Sequence, residues 1–97
     1  MKFPYSTCTS LLHKKVAELT AQGFKVEAKE NATPVQSFLL KLASSKVEAE
    51  LVVWETGATS MMVVNLSTND YDLDRHDLVL ADEQFESHLY IFFKFLK

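Results

Sequence analysis

The sequence is poor in the residues on which disulfides and phosphate sites depend. Cys8 is the only cysteine among 97 residues, so no disulfide can form within the chain. Arg75 is the only arginine, and proteins recognise phosphate groups mainly through arginine forks. With two glycines, the chain also lacks the glycine-rich loops that hold nucleotide phosphates. These shortages argue against a disulfide-stabilised domain and against a nucleotide site.

The sequence also lacks long apolar runs and an excess of positive charge. Its first seven residues contain no apolar stretch of the kind found in signal peptides. No segment approaches the ~20 apolar residues that a membrane-spanning helix needs. The formal net charge of -3 does not favour nucleic acid as a partner. We therefore expect a cytoplasmic protein that binds neither membranes nor nucleic acid.

The composition indicates one folded domain that covers residues 1–97. Hydrophobic residues make up 47% of the chain and charged residues 24%, close to ordinary globular values. Seven phenylalanines, three tyrosines and one tryptophan supply large apolar surfaces for a core. The length suffices for one domain and is too short for two.

Helical periodicity appears at both ends of the sequence. Residues 7–22 predict a first helix, with a cap at Ser6 or Thr7 and Gly23 as the left-handed residue after its end. Residues 81–96 predict a second helix. The apolar stripes at helical spacing are Leu12, Val16 and Leu19 in the first helix, and Phe85, Leu89, Phe92 and Leu96 in the second.

Alternating apolar and polar residues between the helices predict four or five strands. The predicted strands cover residues 24–28, 35–43, 46–55, 60–66 and 71–80, with turns at 30–34, 44–45, 55–58 and 67–70. The last strand is expected to break near Arg75 and His76, because its first and second halves are out of phase. The predicted fold class is α+β, an antiparallel meander with both helices packed on one face.

No residue pattern predicts catalysis or a cofactor. Cys8 and His13 are close enough in sequence for a nucleophile pair, but a small helical residue beside a solvated histidine is the better interpretation. The acidic spacing at 70–74 matches the start of a calcium loop, yet Arg75 and Ala81 stand where glycine and glutamate are required. We expect no enzyme activity, no metal and no cofactor.

An acidic segment between residues 70 and 86 is the sharpest signal for function. It holds seven acidic residues against Arg75 alone: Asp70, Asp72, Asp74, Asp77, Asp82, Glu83 and Glu86. Such a segment can attract and hold a basic protein surface. The alternative is a solvated sheet edge whose charges prevent aggregation.

Two aromatic features add candidate contact residues. Trp54 lies on the same face of its strand as Glu48 and Glu50, and an exposed tryptophan is a favoured interface anchor. The alternative is a tryptophan that shields the sheet. The side of the second helix away from the apolar stripe has few polar residues, because it carries Tyr90, Ile91 and Phe93. These residues can form a dimer interface or contact another partner.

Two motifs resemble a family of small bacterial immunity proteins of the TriTu type. The segment VVWETG at 52–57, between two strands, is similar to the family's hairpin. The segment RHDLVL at 75–80, which leads into a helix with an acidic start, resembles the end of the family. The likeness covers residues 23–97, with a helix before it.

The resemblance implies an antidote made beside a secreted antibacterial toxin. Members of the family are similar to neutralisers of a toxin that ADP-ribosylates elongation factor Tu. We predict an immunity protein that binds a basic toxin surface and covers the active site or substrate groove of the toxin. The predicted contact residues are Asp70, Tyr71, Asp72, Asp74 and Asp77, with Trp54 and Glu55 as a further anchor.

The alternative function is a secretion chaperone or adaptor that holds an effector segment as a homodimer. The immunity hypothesis instead expects a monomer or weak homodimer when free.

Overall fold

A computed structural model describes residues 5–32, 35–78 and 82–96. In chain order the elements are α1 (Tyr5–Ala21), β1 (Lys25–Asn31), β2 (Ser37–Ala43), β3 (Val47–Trp54), β4 (Ala58–Asn65), β5 (Asp70–Leu78) and α2 (Asp82–Lys94). The predicted order of a helix, a run of strands and a second helix is confirmed.

The first helix extends further towards the N-terminus than predicted. α1 begins at Tyr5, so Ser6 and Thr7 lie inside the helix and the expected cap at either residue is wrong. The Cys8, Leu12 and Leu19 side chains are buried, which continues the apolar stripe by one turn towards the N-terminus. The helix ends as predicted, because Gly23 has a φ of 98° and its amide donates to the carbonyl of Thr20.

The five strands form an antiparallel sheet in the order β1-β2-β3-β4-β5, so each strand pairs with its neighbour in sequence. Leu51 lies at the centre, opposite Leu40 of β2 and Met61 of β4. Gly57 has a φ of 95° in the turn between β3 and β4, and its amide donates to the carbonyl of Trp54 at 2.9 Å. The predicted meander is confirmed, and it has five strands.

Several strand ends differ from the prediction. β1 continues to Asn31, which pairs with Ser37, so β2 starts two residues later than expected. β4 begins at Ala58 and β5 at Asp70, because ladder pairing reaches further into the turns than the apolar alternation indicates. Residues 33–34 of the turn predicted at 30–34 lie outside the described residues, as do residues 79–80 of the last strand and 81 of the second helix.

The predicted break near Arg75 and His76 is wrong, because β5 runs without interruption from Asp70 to Leu78. The irregularity lies earlier, where Val63 pairs with Leu73 but Val64 pairs with Tyr71. Asp72 is therefore an extra residue, as in a β-bulge. The bulge places Leu73 in the core and Tyr71 on the opposite face of the sheet. In a regular strand, residues two positions apart would point to the same face.

Both helices pack on the same face of the sheet, as predicted. α1 lies nearest β1, and α2 lies nearest β4. The side chains of the predicted stripe are all buried: Phe85, Leu89 and Phe92 of α2, and Leu96, which lies just past the end of α2 at Lys94 and not inside the helix as predicted. They meet inward-facing strand residues that include Phe38, Leu40, Leu51, Val53, Met61 and Val63. No helix in the described part of the chain is long and apolar enough to span a membrane.

Candidate functional site

The candidate site is the face of the sheet that lies away from both helices. We call it the open face. Because side chains alternate along a strand, this face carries the residues between the core positions of each strand. Its central apolar residues are half-buried by their neighbours: Leu39, Val52, Trp54, Met62 and Val64. The open face therefore has apolar side chains at its centre.

Two rows of paired residues place carboxylates on both sides of an apolar centre. In one row, Glu48 pairs with Val64, which pairs with Tyr71. In the next row, Glu50 pairs with Met62, which pairs with Asp74. We call these six residues the acid-framed patch: Glu48, Glu50, Met62, Val64, Tyr71 and Asp74.

The acid-framed patch combines exposed charge with exposed apolar surface. Tyr71 is 60% exposed, so its ring is available to a partner. Glu48 and Asp74 are exposed, and Glu50 is half-buried. A surface with an apolar centre and a charged rim is typical of protein–protein interfaces.

A shallow depression adjoins the patch and gives the open face a concave part. Its volume is about 430 Å³. It is lined by residues of β1 to β4, including Glu27, Lys41, Ala43, Glu48, Glu50 and Met62. Glu48 and Glu50 therefore belong both to the patch and to the wall of the depression.

The two sides of the open face differ in charge. The lysines stand on β1 and β2, at positions 25, 29 and 41, although Glu27 stands among them. The carboxylates of Glu48, Glu50 and Asp74 stand on β3 and β5. The single arginine, Arg75, pairs with Met61, whose side chain lies in the core on the helix side. The side of the face formed by β3 to β5 is therefore acidic.

The structure distributes the predicted acidic residues around this region. Asp70, Asp72 and Asp74 are exposed on β5, with Asp72 at the bulge. The Oδ1 atom of Asp74 lies 3.7 Å from Nε2 of His76. The backbone of Asp77 pairs with Thr59, which is buried on the helix side.

Trp54 and Glu55 lie at the other end of the sheet from Tyr71. Trp54 lies six positions after Glu48 in β3, a distance of about 20 Å in an extended strand. Trp54 is half-buried on the open face. Glu55 is exposed, and its side chain accepts a hydrogen bond of 3.4 Å from the amide of Gln36. The two predicted groups share one face but do not form one compact cluster.

Glu55 also contributes to the electrostatic surroundings of Tyr5. Burial raises the pKa of the Tyr5 hydroxyl, and the negative charges of Glu30 and Glu55 raise it further. The charge of Glu55 therefore acts on the start of α1, although its side chain is exposed. Glu55 can therefore have a structural role, through its hydrogen bond to Gln36 just before β2, as well as a role in contacting a partner.

The prediction left out Glu48 and Glu50 as contact residues. Because Glu48 and Glu50 alternate with apolar residues, the sequence already predicted that they share a face with Trp54. Their pairing with Val64 and Met62, and so their closeness to Tyr71 and Asp74, requires the strand register. That register depends on turn lengths and on the bulge at Asp72.

Cys8 and His13 do not form a nucleophile pair in an open site. Cys8 is buried. The ring of His13 packs edge-on against Phe38 with centroids 5.0 Å apart, and its Nε2 lies 3.4 Å from Oε1 of Glu30. Among the described residues, no group of three or more histidine, cysteine, aspartate or glutamate side chains is placed to hold a metal ion.

Comparison with known proteins identifies the family. The family model described as immunity protein TriTu matches residues 7–95, which covers both helices and all five strands except the first two residues of α1. No curated protein matches the chain. The match extends the resemblance noted for the hairpin at 52–57 and the segment at 75–80 to almost the whole sequence. The chain belongs to the TriTu family of immunity proteins.

Proposed function

We propose that this immunity protein protects the cell that makes it by binding a cognate secreted toxin and covering the active site or substrate groove of the toxin. The family match over residues 7–95 is the observation that supports this most directly. An open sheet face with acidic and apolar residues supplies a surface suited to such binding. An ADP-ribosyltransferase is the first toxin to test, in line with the family resemblance.

The proposed action is that of an inhibitor and needs no catalytic group. A preformed acidic surface speeds capture of a basic partner, because complementary charge raises the association rate. The proposed contact residues are those expected from the sequence: Asp70, Tyr71, Asp72, Asp74 and Asp77, with Trp54 and Glu55. The toxin surface that meets them is proposed to be basic.

The proposal is tested by co-expression with the toxin encoded beside this gene. We expect the protein to restore growth of cells that produce the active toxin. With a catalytically inactive toxin, we expect a one-to-one complex that survives size-exclusion chromatography. An unrelated immunity protein of similar size serves as the control. Failure to protect, together with failure to form a complex with any neighbouring gene product, contradicts the proposal.

Replacement of Trp54 by alanine tests the proposed anchor. We expect the toxin to dissociate about tenfold faster, because loss of a contacted tryptophan side chain typically costs over 1 kcal/mol of binding free energy. The association rate should stay the same, since no charge changes. Surface plasmon resonance measures both rates.

The control for Trp54→Ala is Tyr90→Ala, which removes an exposed aromatic side chain on the helix side. Its binding rates should equal those of the wild type. Unchanged dissociation of Trp54→Ala, with its melting temperature also unchanged, excludes Trp54 from the interface.

A secretion chaperone or adaptor that works as a homodimer remains the second candidate. It is favoured by an apolar groove of about 390 Å³ between the helices, lined by Leu11, Lys15, Glu86, Leu89, Tyr90 and Phe93. Tyr90 is 72% exposed there. Light scattering distinguishes the two functions, because a strict monomer at all concentrations counts against the chaperone.

A further inference from the structure

We propose that the acid-framed patch is the surface that receives the toxin, and that its occupant is a convex, positively charged element of the toxin. In this arrangement a lysine or arginine of the toxin lies among the carboxylates of Glu48, Glu50 and Asp74. An apolar side chain of the toxin covers Met62 and Tyr71. This inference rests on the proposed immunity function and adds the position of the surface and the chemistry of its partner.

The spacing of the patch suits a single basic element. Neighbouring strands are about 4.8 Å apart, so Glu50 and Asp74, on either side of Met62, stand about 10 Å apart at the backbone. Glu48 and Glu50 lie two residues apart on the same face, which is about 7 Å along the strand. Side chains on one helix turn or loop of a partner can reach all three carboxylates at once.

The charge distribution specifies where the basic element lies. Lysines outnumber acidic residues on the side formed by β1 and β2, although Glu27 stands among them and Lys41 pairs with Glu50, so a positive partner is repelled from that side. The carboxylates of the patch attract it to the side formed by β3 to β5. This difference in charge across one face favours a single orientation of the bound toxin.

The apolar centre gives the patch a means to hold the partner after capture. Tyr71 is exposed by the bulge at Asp72, and tyrosine is among the residues that contribute most binding energy at interfaces. Met62 and Val64 stand beside it, and methionine adapts readily to the shape of a partner. Charged residues around such a centre exclude water from it once the partner is bound.

The groove between the helices is a weaker candidate for the toxin. It is lined by Lys15 and Glu86, so it carries no excess of either charge. The Nζ atom of Lys15 also lies 5.8 Å from the centroid of the Phe93 ring. This cation–π contact within the protein makes Lys15 less available to a partner. Nothing in this groove selects a partner by its charge.

The test compares two charge-neutralising variants of the full chain. The patch variant combines Glu48→Gln, Glu50→Gln and Asp74→Asn, which keep the shape of each side chain. The matched control combines Lys25→Gln and Lys29→Gln on the other side of the same face. Binding to catalytically inactive toxin is measured by stopped-flow or surface plasmon resonance at low and high salt, and folding by thermal melting.

We expect the patch variant to associate at least tenfold more slowly at low salt and to lose most of the salt dependence of the rate. The control should associate as fast as the wild type or faster. Tyr71→Ala should leave association unchanged and speed dissociation. If the triple variant does not fold, the single variants Glu48→Gln and Asp74→Asn replace it, each with a smaller decrease in rate.

The possible outcomes separate this inference from the proposed function. Wild-type binding with an association rate for the patch variant within twofold of the wild type overturns the patch and leaves the immunity function standing. Absence of wild-type binding overturns both. If light scattering shows a wild-type dimer that only the patch variant disrupts, and toxin binding is unaffected, a second copy occupies the patch and the proposal is wrong.

Discussion

Replacing Phe92 with alanine is expected to lower the free energy of unfolding by about 3–5 kcal/mol. The Phe92 side chain has 0% exposure and lies where α2 packs on the sheet. Its removal takes away apolar burial and leaves a cavity that the sheet can fill only in part. This is a large part of the total stability of such a domain, which is about 5–15 kcal/mol. Because each kcal/mol lowers the melting temperature of a domain of this size by at least about 4 °C, the variant should melt more than ~12 °C below the wild type. Urea and thermal unfolding followed by circular dichroism measure the change.

Tyr90→Ala is the matched control for Phe92→Ala. Tyr90 belongs to the same helix and is 72% exposed, so its loss should change stability by no more than about 0.5 kcal/mol. A loss below about 1 kcal/mol for Phe92→Ala would show that α2 does not contribute to the core as described. Equal losses for the two variants would indicate a general effect of aromatic residues on helix formation.

Replacing Leu51 with aspartate is expected to abolish folding. Leu51 has 0% exposure and lies between Leu40 and Met61 at the centre of the sheet. Burial raises the pKa of a carboxyl group there to about 7 or above, and holding the group protonated at neutral pH costs about 4 kcal/mol. The lost burial of the leucine adds to that cost, and the sum approaches the whole stability of the domain. An unfolded circular dichroism spectrum and loss of protection against the toxin are the expected results.

Val52→Asp provides the control on the next residue of the same strand. Val52 is half-buried on the open face, so an aspartate there can reach water. We expect this variant to fold, with a loss of stability well below that of Leu51→Asp. Because neighbouring strand residues face opposite sides, the pair tests the assignment of the two faces. Unfolding of both variants would contradict an open face.

Much of the fold could be predicted from periodicity. The stripe of Phe85, Leu89, Phe92 and Leu96 predicted the buried side of α2, because a helix must bury one apolar side. The alternation from Val47 to Val53 predicted both the central strand and its inward face. The sequence did not decide between four and five strands, because charged residues in the last strand weaken the alternation of apolar and polar residues that predicts a strand.

The irregular parts could not be predicted in the same way. A bulge such as that at Asp72 changes the phase of a strand, and no residue there marks it in advance. The phase difference was therefore assigned to Arg75 and His76, which lie within a continuous strand. Strand ends also depend on pairing with a partner, as for Asn31 with Ser37, which single-strand alternation does not report.

The candidate site was only partly accessible from the sequence. The acidic segment from Asp70 is a property of a continuous stretch, so composition could point to it, whereas the exposure of Tyr71 depends on the bulge at Asp72. Glu48 and Glu50 join them through pairing across β3, β4 and β5. Contacts between residues distant in the chain depend on register, which local pattern does not determine. The family, in contrast, was recognised from the two short motifs and is confirmed over residues 7–95.

The simple order of the strands has a kinetic consequence. Each strand in the sheet pairs with the one made just before it, and the turns after β2, β3 and β4 are three or four residues long. Contacts between neighbouring strands lose little loop-closure entropy as they form, so the sheet can assemble fast for its size. Newly synthesised copies thus form the sheet without a search for distant partners, and packing of α1 against α2 then joins the two ends of the chain. For an antidote, this shortens the interval between translation and protection.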